Sequence, residues 1–127
     1  MMEKLYNLDI TNEEIKDMIN IYPSIIELTN SELENKIQIL KSINCTDKQI
    51  KNIIVSNPKY LCRSDDDILN LIKKLLKLKI TNINLLFDSN PYFLNIDAYE
   101  IDEFIKENSV SDIVSLLETN PFIIDES

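Results

Sequence analysis

Five lysines in the middle of this chain, Lys48, Lys51, Lys73, Lys74 and Lys77, are the residues whose type and spacing best suit chemistry with a ligand. Lys48 and Lys51 are three residues apart and Lys73 and Lys77 are four apart, so on helices each pair shares a face. An ammonium is a compact point charge, and a row of them at helical spacing can neutralise phosphates. The charge distribution sharpens the signal. The chain carries −9 overall, but residues 41–79 hold nine bases against four acids, a balance of +5. Residues 1–40 hold eight acids and three lysines, −5, and residues 80–127 hold ten acids and one lysine, −9. A nucleic-acid backbone would be repelled by both flanks and attracted only by the middle. Arg63 is the one arginine, so bidentate reading of guanine would be scarce and contact with nucleic acid is expected to be sequence-nonspecific. The competing reading is a solvated helix surface, because lysine is a good helix former and usually sits at surfaces.

Other chemistry is thin. The chain has no histidine, which removes the commonest general base and metal ligand, and no glycine, which argues against phosphate-cradling loops. Asp65, Asp66 and Asp67 follow Ser64, where they read as the acidic first turn of a helix; no calcium-loop spacing follows. Cys45 and Cys62 have no C-x-x-C partner, so reduced thiols and a cytoplasmic setting are expected. No enzyme activity, metal, cofactor or small-molecule substrate is expected.

The elements that must hold these lysines follow one recurring frame. Pro23, Pro58, Pro91 and Pro121 are spaced 35, 33 and 30 residues apart. Eight residues before each stands an isoleucine: Ile15, Ile50, Ile83 and Ile113. Apolar pairs precede it (Met18 and Ile19, Ile53 and Ile54, Leu86 and Phe87, Leu116 and Leu117) and follow it (Ile25 and Ile26, Tyr60 and Leu61, Phe93 and Leu94, Ile123 and Ile124). Self-similarity at this period marks a helical-repeat solenoid. Each repeat opens on a cap, Thr11-x-x-Glu14 or Thr46-x-x-Gln49, with Thr81 and Ser111 in the same place in the shorter repeats. Helix A then runs to the proline, which pushes the residue before it out of the α region. Asn57, Asn90 and Asn120 hold that place and are expected to cap a short Pro-started turn or 3₁₀ helix; Tyr22 cannot. A second start signal, Thr29-x-x-Glu32, Ser64-x-x-Asp67 or Asp97-x-x-Glu100, opens helix B. Its stripe is Leu33, Ile37, Leu40 and Ile43, then Ile68, Ile72, Leu75 and Leu78, then Ile101 and Ile105 before the pattern decays at Asn108. Tyr60 and Phe93 fall at core offsets, while Tyr92 and Phe122 fall where other repeats carry Ser24 and Lys59 and are expected to be exposed. Cys45 shares its position with Ile10 and should pack as a small hydrophobe.

The expectation is a single all-α helical-repeat domain over 1–127, with units at 1–9 (partial), 10–44, 45–79, 80–109 and 110–127 (partial). Leu5 and Leu8 fit the end of a helix B, and Ser127 falls where the next helix B would be capped. Phe122, Ile123 and Ile124 are thus a candidate docking end, and self-association through them is one expectation. Met1–Ile10 lacks a secretory h-region and the Arg- and Ser-rich character of a transit peptide, and no stretch is apolar enough to span a membrane.

The unit reads leucine-x-x-leucine, one residue, apolar, Ser/Thr, helix, proline, two apolars, cap, helix. Leu40-Lys41-Ser42-Ile43-Asn44-Cys45-Thr46 running to Pro58, Tyr60 and Leu61 resembles the mTERF repeat, and Leu75 to Thr81 repeats its opening. One departure is that Asp9, Asn44, Lys79 and Ser109 stand where that family often has glycine. The resemblance implies a superhelically twisted helical array with a concave face, and nucleic-acid binding of transcription-regulating type. The alternative is a protein-interaction module that uses the concave face or the uncapped C-terminal end, and its acidic flanks would suit a basic protein partner.

Overall fold

The computed structural model describes residues 2–80 and 82–107. Among them every regular element is helical. α1 is Met2–Tyr6. Three repeats of helix A, 3₁₀ turn and helix B follow: α2 (Asn12–Ile21), Pro23–Glu27 and α3 (Asn30–Ser42); α4 (Asp47–Ser56), Pro58–Cys62 and α5 (Asp65–Lys77); α6 (Ile83–Ser89), Pro91–Asn95 and α7 (Ala98–Glu107). The fold is all-α with a helical repeat, as the spacing of the prolines requires.

The joints between repeats explain the leucine-x-x-leucine signature. At the end of α3, Asn44 N–H donates to Lys41 O and Cys45 N–H donates back to Leu40 O. This pair of bonds, five-to-two and six-to-one, is a Schellman closure, and it needs a left-handed residue between them. Asn44 supplies it with φ 71°; Asp9 (φ 62°) and Lys79 (φ 63°) do the same after α1 and α5, with the same two bonds behind each. The leucine and the apolar residue joined by the longer bond are buried every time: Leu5 with Ile10, Leu40 with Cys45, Leu75 with Ile80. So three of the positions where the similar family often has glycine, Asp9, Asn44 and Lys79, are left-handed here without glycine, and the fourth, Ser109, lies outside the described residues.

The starts of α2, α3, α4 and α5 match the sequence, but α6 does not: Asn82 stands at its cap position, one residue after Thr81, and makes no side-chain cap bond. Thr11 with Glu14, Thr46 with Gln49 and Thr29 with Glu32 form complete capping boxes. Ser64 Oγ accepts from Asp67 N–H at 3.1 Å, and Asp97 N–H donates to Glu100 Oε2 at 2.9 Å. The three acids Asp65, Asp66 and Asp67 occupy the first turn of α5, where they offset its dipole.

The residues before the prolines behave differently from expectation. Tyr22, Asn57 and Asn90 share one backbone conformation, φ near −140° (−143°, −136°, −138°) with ψ 73–86°, and none makes a side-chain cap. Asn57 and Asn90 therefore stand at the N-cap positions of the turns as expected, but their side chains do not cap them. The following proline alone sets the corner, because its ring excludes the α region for any residue before it. Each turn is then closed by its backbone, Tyr60 N–H donating to Asn57 O and Phe93 N–H to Asn90 O.

The chain divides into two compact halves, Met1–Arg63 and Ser64–Ser127. In the first, α2 packs on α4, α1 on α3, and the first Pro-led turn on the second, so like lies against like from one repeat to the next. Ile15, Met18, Ile25, Leu33, Ile50, Ile53 and Ile54 fill the core, and Tyr60, with no exposed surface, donates its hydroxyl to Lys36 O at 2.6 Å. In the second half α5 packs on α7, and Phe87 and Phe93 lie 6.2 Å apart between helix A and its turn. Tyr92 is exposed, as its repeat position requires. Ile26 departs from the frame: it is 61 % exposed, while Leu61 and Leu94 at the same offset are fully buried. Thr81, the side chain of Ile105, and the whole of the last partial repeat (Asn108, Ser109, Ser111, Ile113, Leu116, Leu117, Asn120, Pro121, Phe122, Ile123, Ile124) lie outside the described residues.

Candidate nucleic-acid interface

The five lysines are divided between the halves, Lys48 and Lys51 on α4 in the first and Lys73, Lys74 and Lys77 on α5 in the second. The apolar stripes fix where each can point. On α4, Ile50, Ile53 and Ile54 turn inward, which leaves Lys48 in solvent and Lys51 at the edge of the buried face. On α5, Ile68, Leu71, Ile72 and Leu75 turn inward, which exposes Lys73 and Lys77 and leaves Lys74 half-buried.

The two half-buried lysines already have acidic partners on neighbouring repeats, Lys51 on the preceding one and Lys74 on the next. Lys51 Nζ lies 3.4 Å from Glu14 Oε1, joining α4 to α2, and Lys74 Nζ lies 2.6 Å from Asp102 Oδ1, joining α5 to α7. A third pair, Lys4 Nζ to Glu34 Oε2 at 2.7 Å, joins α1 to α3. Lys4 and Lys74 each precede the first leucine of the closure, and Glu34 and Asp102 each follow the first stripe residue of a helix B. The same brace thus recurs at the same frame position. It was legible only by applying the frame to charges as well as to apolar residues. Partly exposed pairs of this kind add little to stability, because solvent screens them.

The carboxyls record these contacts. Glu14 is held below the ordinary carboxylate value, first by the Thr11 backbone N–H of the capping box and then, against some desolvation, by the Thr11 hydroxyl and Lys51. Glu34 is lowered by its hydrogen bonds to Lys4 and then Gln38. In the first half burial pushes the Cys62 thiol up, against a smaller opposing pull from Lys36. Cys45 and Cys62 are both free, Cys45 in the core.

Among residues 41–79, the exposed lysines outside these braces are Lys48, with Lys41 and Lys59, in the first half, and Lys73, Lys77 and Lys79 in the second. A hollow in the second half, lined by Asp67, Asn70, Asp97, Ala98 and Tyr99, carries two carboxylates and is unsuited to an anion. Among the described residues no group of His, Cys, Asp or Glu is arranged to hold a metal ion, and no helix is long and apolar enough to cross a membrane. The docking residues Phe122, Ile123 and Ile124 lie outside the described residues.

The mTERF family model matches residues 1–125. Transcription termination factor 1, mitochondrial, from Homo sapiens and from Pongo abelii, is 33% identical to this chain over 88 residues in each case. The match takes in 66% of this chain and 21% of theirs, so the chain spans about a fifth of the length of these relatives. No solved structure gives a significant match. The family match over nearly the whole length agrees with the three left-handed joints and three Pro-led turns, and the chain belongs to the mTERF family.

Proposed function

We propose that this chain is a non-catalytic nucleic-acid-binding module of transcription-regulating type, which grips phosphates through the exposed lysines of its middle repeat. Membership of the mTERF family over residues 1–125 carries the reading, since the relatives bear the name of transcription termination factors. The exposure of Lys48, Lys73 and Lys77 supports it. Lys51 and Lys74 are secondary, because a phosphate would have to displace Glu14 or Asp102. With one arginine in the chain, contact is to backbone and largely independent of sequence. The cytosolic setting expected from the cysteines stays part of this proposal, and fractionation of the expressed protein tests it.

The decisive experiment titrates random duplex and single-stranded DNA and RNA at two salt concentrations. Three phosphate-bound lysines on duplex DNA should give a log–log salt slope of about −3. Lys48→Gln/Lys73→Gln/Lys77→Gln should remove most of that slope and most retention on heparin, while Lys51→Gln/Lys74→Gln should change both little. No binding at low salt, or a triple variant that binds like the parent, overturns the reading.

A further inference from the structure

The first Pro-led turn exposes apolar residues whose counterparts at the later turns are buried or polar. Pro58 and Leu61 are buried in the first half, where the first turn packs against the second. At the same frame positions in the first turn, Pro23 is exposed and Ile26 is 61 % exposed. Ile21, at the end of α2 next to this turn, is 61 % exposed as well, where the corresponding residues Ser56 and Ser89 are polar. Two exposed isoleucines thus flank one helix-to-turn corner. That corner continues an interface the chain makes with itself one repeat later.

The surroundings of the corner define its complement. The exposed charged residues of α2 and the first turn are Glu13, Lys16, Asp17 and Glu27, three acids against one base. Asp17 lies one helical turn before Ile21, on the same face, and Glu27 follows Ile26. A second copy of this chain carries a net charge of −9, so over most of its length it would repel an acidic rim, its middle repeat excepted. A basic surface would be attracted there, and its apolar side chains would cover the isoleucines. We propose that the edge formed by Ile21, Pro23 and Ile26 is a docking face for a protein segment that presents apolar side chains flanked by lysine or arginine. This face is independent of the lysines assigned to nucleic acid.

The test uses the full chain and a labelled amphipathic Lys/Leu helical peptide, with a Glu/Leu twin as control, read by fluorescence anisotropy at low salt. The Lys/Leu peptide should bind and the twin should not. Ile21→Ser/Ile26→Ser should weaken binding by about tenfold or more, the size of effect expected for apolar anchors. Asp17→Lys/Glu27→Lys should reverse the preference toward the Glu/Leu twin. All four positions are exposed, and circular dichroism of the variants is the control for folding. The proposal is overturned if the isoleucine variant binds like the parent, or if both peptides bind the parent alike. It is equally overturned if sedimentation shows the parent self-associating through this face, with the assembly lost in the isoleucine variant.

Discussion

Lys79 carries the least comfortable backbone among the joints. Its φ of 63° places its Cβ against the following carbonyl, a conformation that asparagine and aspartate tolerate better than lysine. The Schellman closure leaves no alternative, since Ile80 N–H must reach back to Leu75 O. Lys79→Gly should therefore stabilise the fold by ~1 kcal/mol, the relief of steric cost outweighing the greater freedom of the unfolded chain. In thermal melts this amounts to about 3–5 °C for a chain of this size. Lys79→Asn should fall between glycine and lysine, and Asn44→Gly should gain less than Lys79→Gly. If Lys79→Gly melts below the parent, the closure after α5 is not under this strain. The position was legible as a departure from the similar family's glycine. That lysine would accept the left-handed state was not, because local preference alone argues against it and the two backbone bonds override it.

At the scale of elements, the local signals were the legible ones. Capping boxes, prolines and stripes act within one helix or one joint, so Thr46-x-x-Gln49 specifies the start of α4 without knowledge of its neighbours. Contacts between repeats were harder to read. Nothing in the residue type separates Ile26 from Leu61; the second turn, which buries Leu61, lies against the first turn and against α2, α3 and α4, contacts no local signal announces. Likewise Lys51 and Lys74 looked equal to Lys48 and Lys73 until Glu14 and Asp102 were placed beside them. These braces predict an acid response. The carboxyls of Glu14 and Glu34 sit below the ordinary value of 4.5, so they stabilise the fold fully above that value. The contribution is lost as pH falls below 4.5 through their folded values. Glu14→Gln/Glu34→Gln should melt below the parent at neutral pH, and the gap should close as pH drops from about 5.5 to about 3. A gap that stays constant across that range would show that the two carboxylates are not the cause.

At the scale of the whole molecule, the net charge is shared very unevenly between the halves. Residues up to Arg63 hold eight bases and nine acids, −1, while those from Ser64 onward hold five bases and thirteen acids, −8. Self-repulsion is therefore concentrated in the second half, and the first is close to neutral. Added salt has two opposing effects on stability. It weakens ion pairs such as Lys74–Asp102, and it screens repulsion beyond a Debye length of about 10 Å at 0.1 M. In the second half the excess of eight negative charges outweighs pairs such as Lys74–Asp102, so screening should win there. In the first half the braces Lys4–Glu34 and Lys51–Glu14 have little net repulsion to offset their loss. Hydrogen exchange should consequently show protection rising with salt in α5, α6 and α7 and staying level or falling in α2, α3 and α4. The same salt should weaken any nucleic acid held by Lys73 and Lys77, so stability and affinity of the second half are expected to move in opposite directions. Protection that rises equally in both halves would point to general salting-out of apolar surface and remove charge from the explanation.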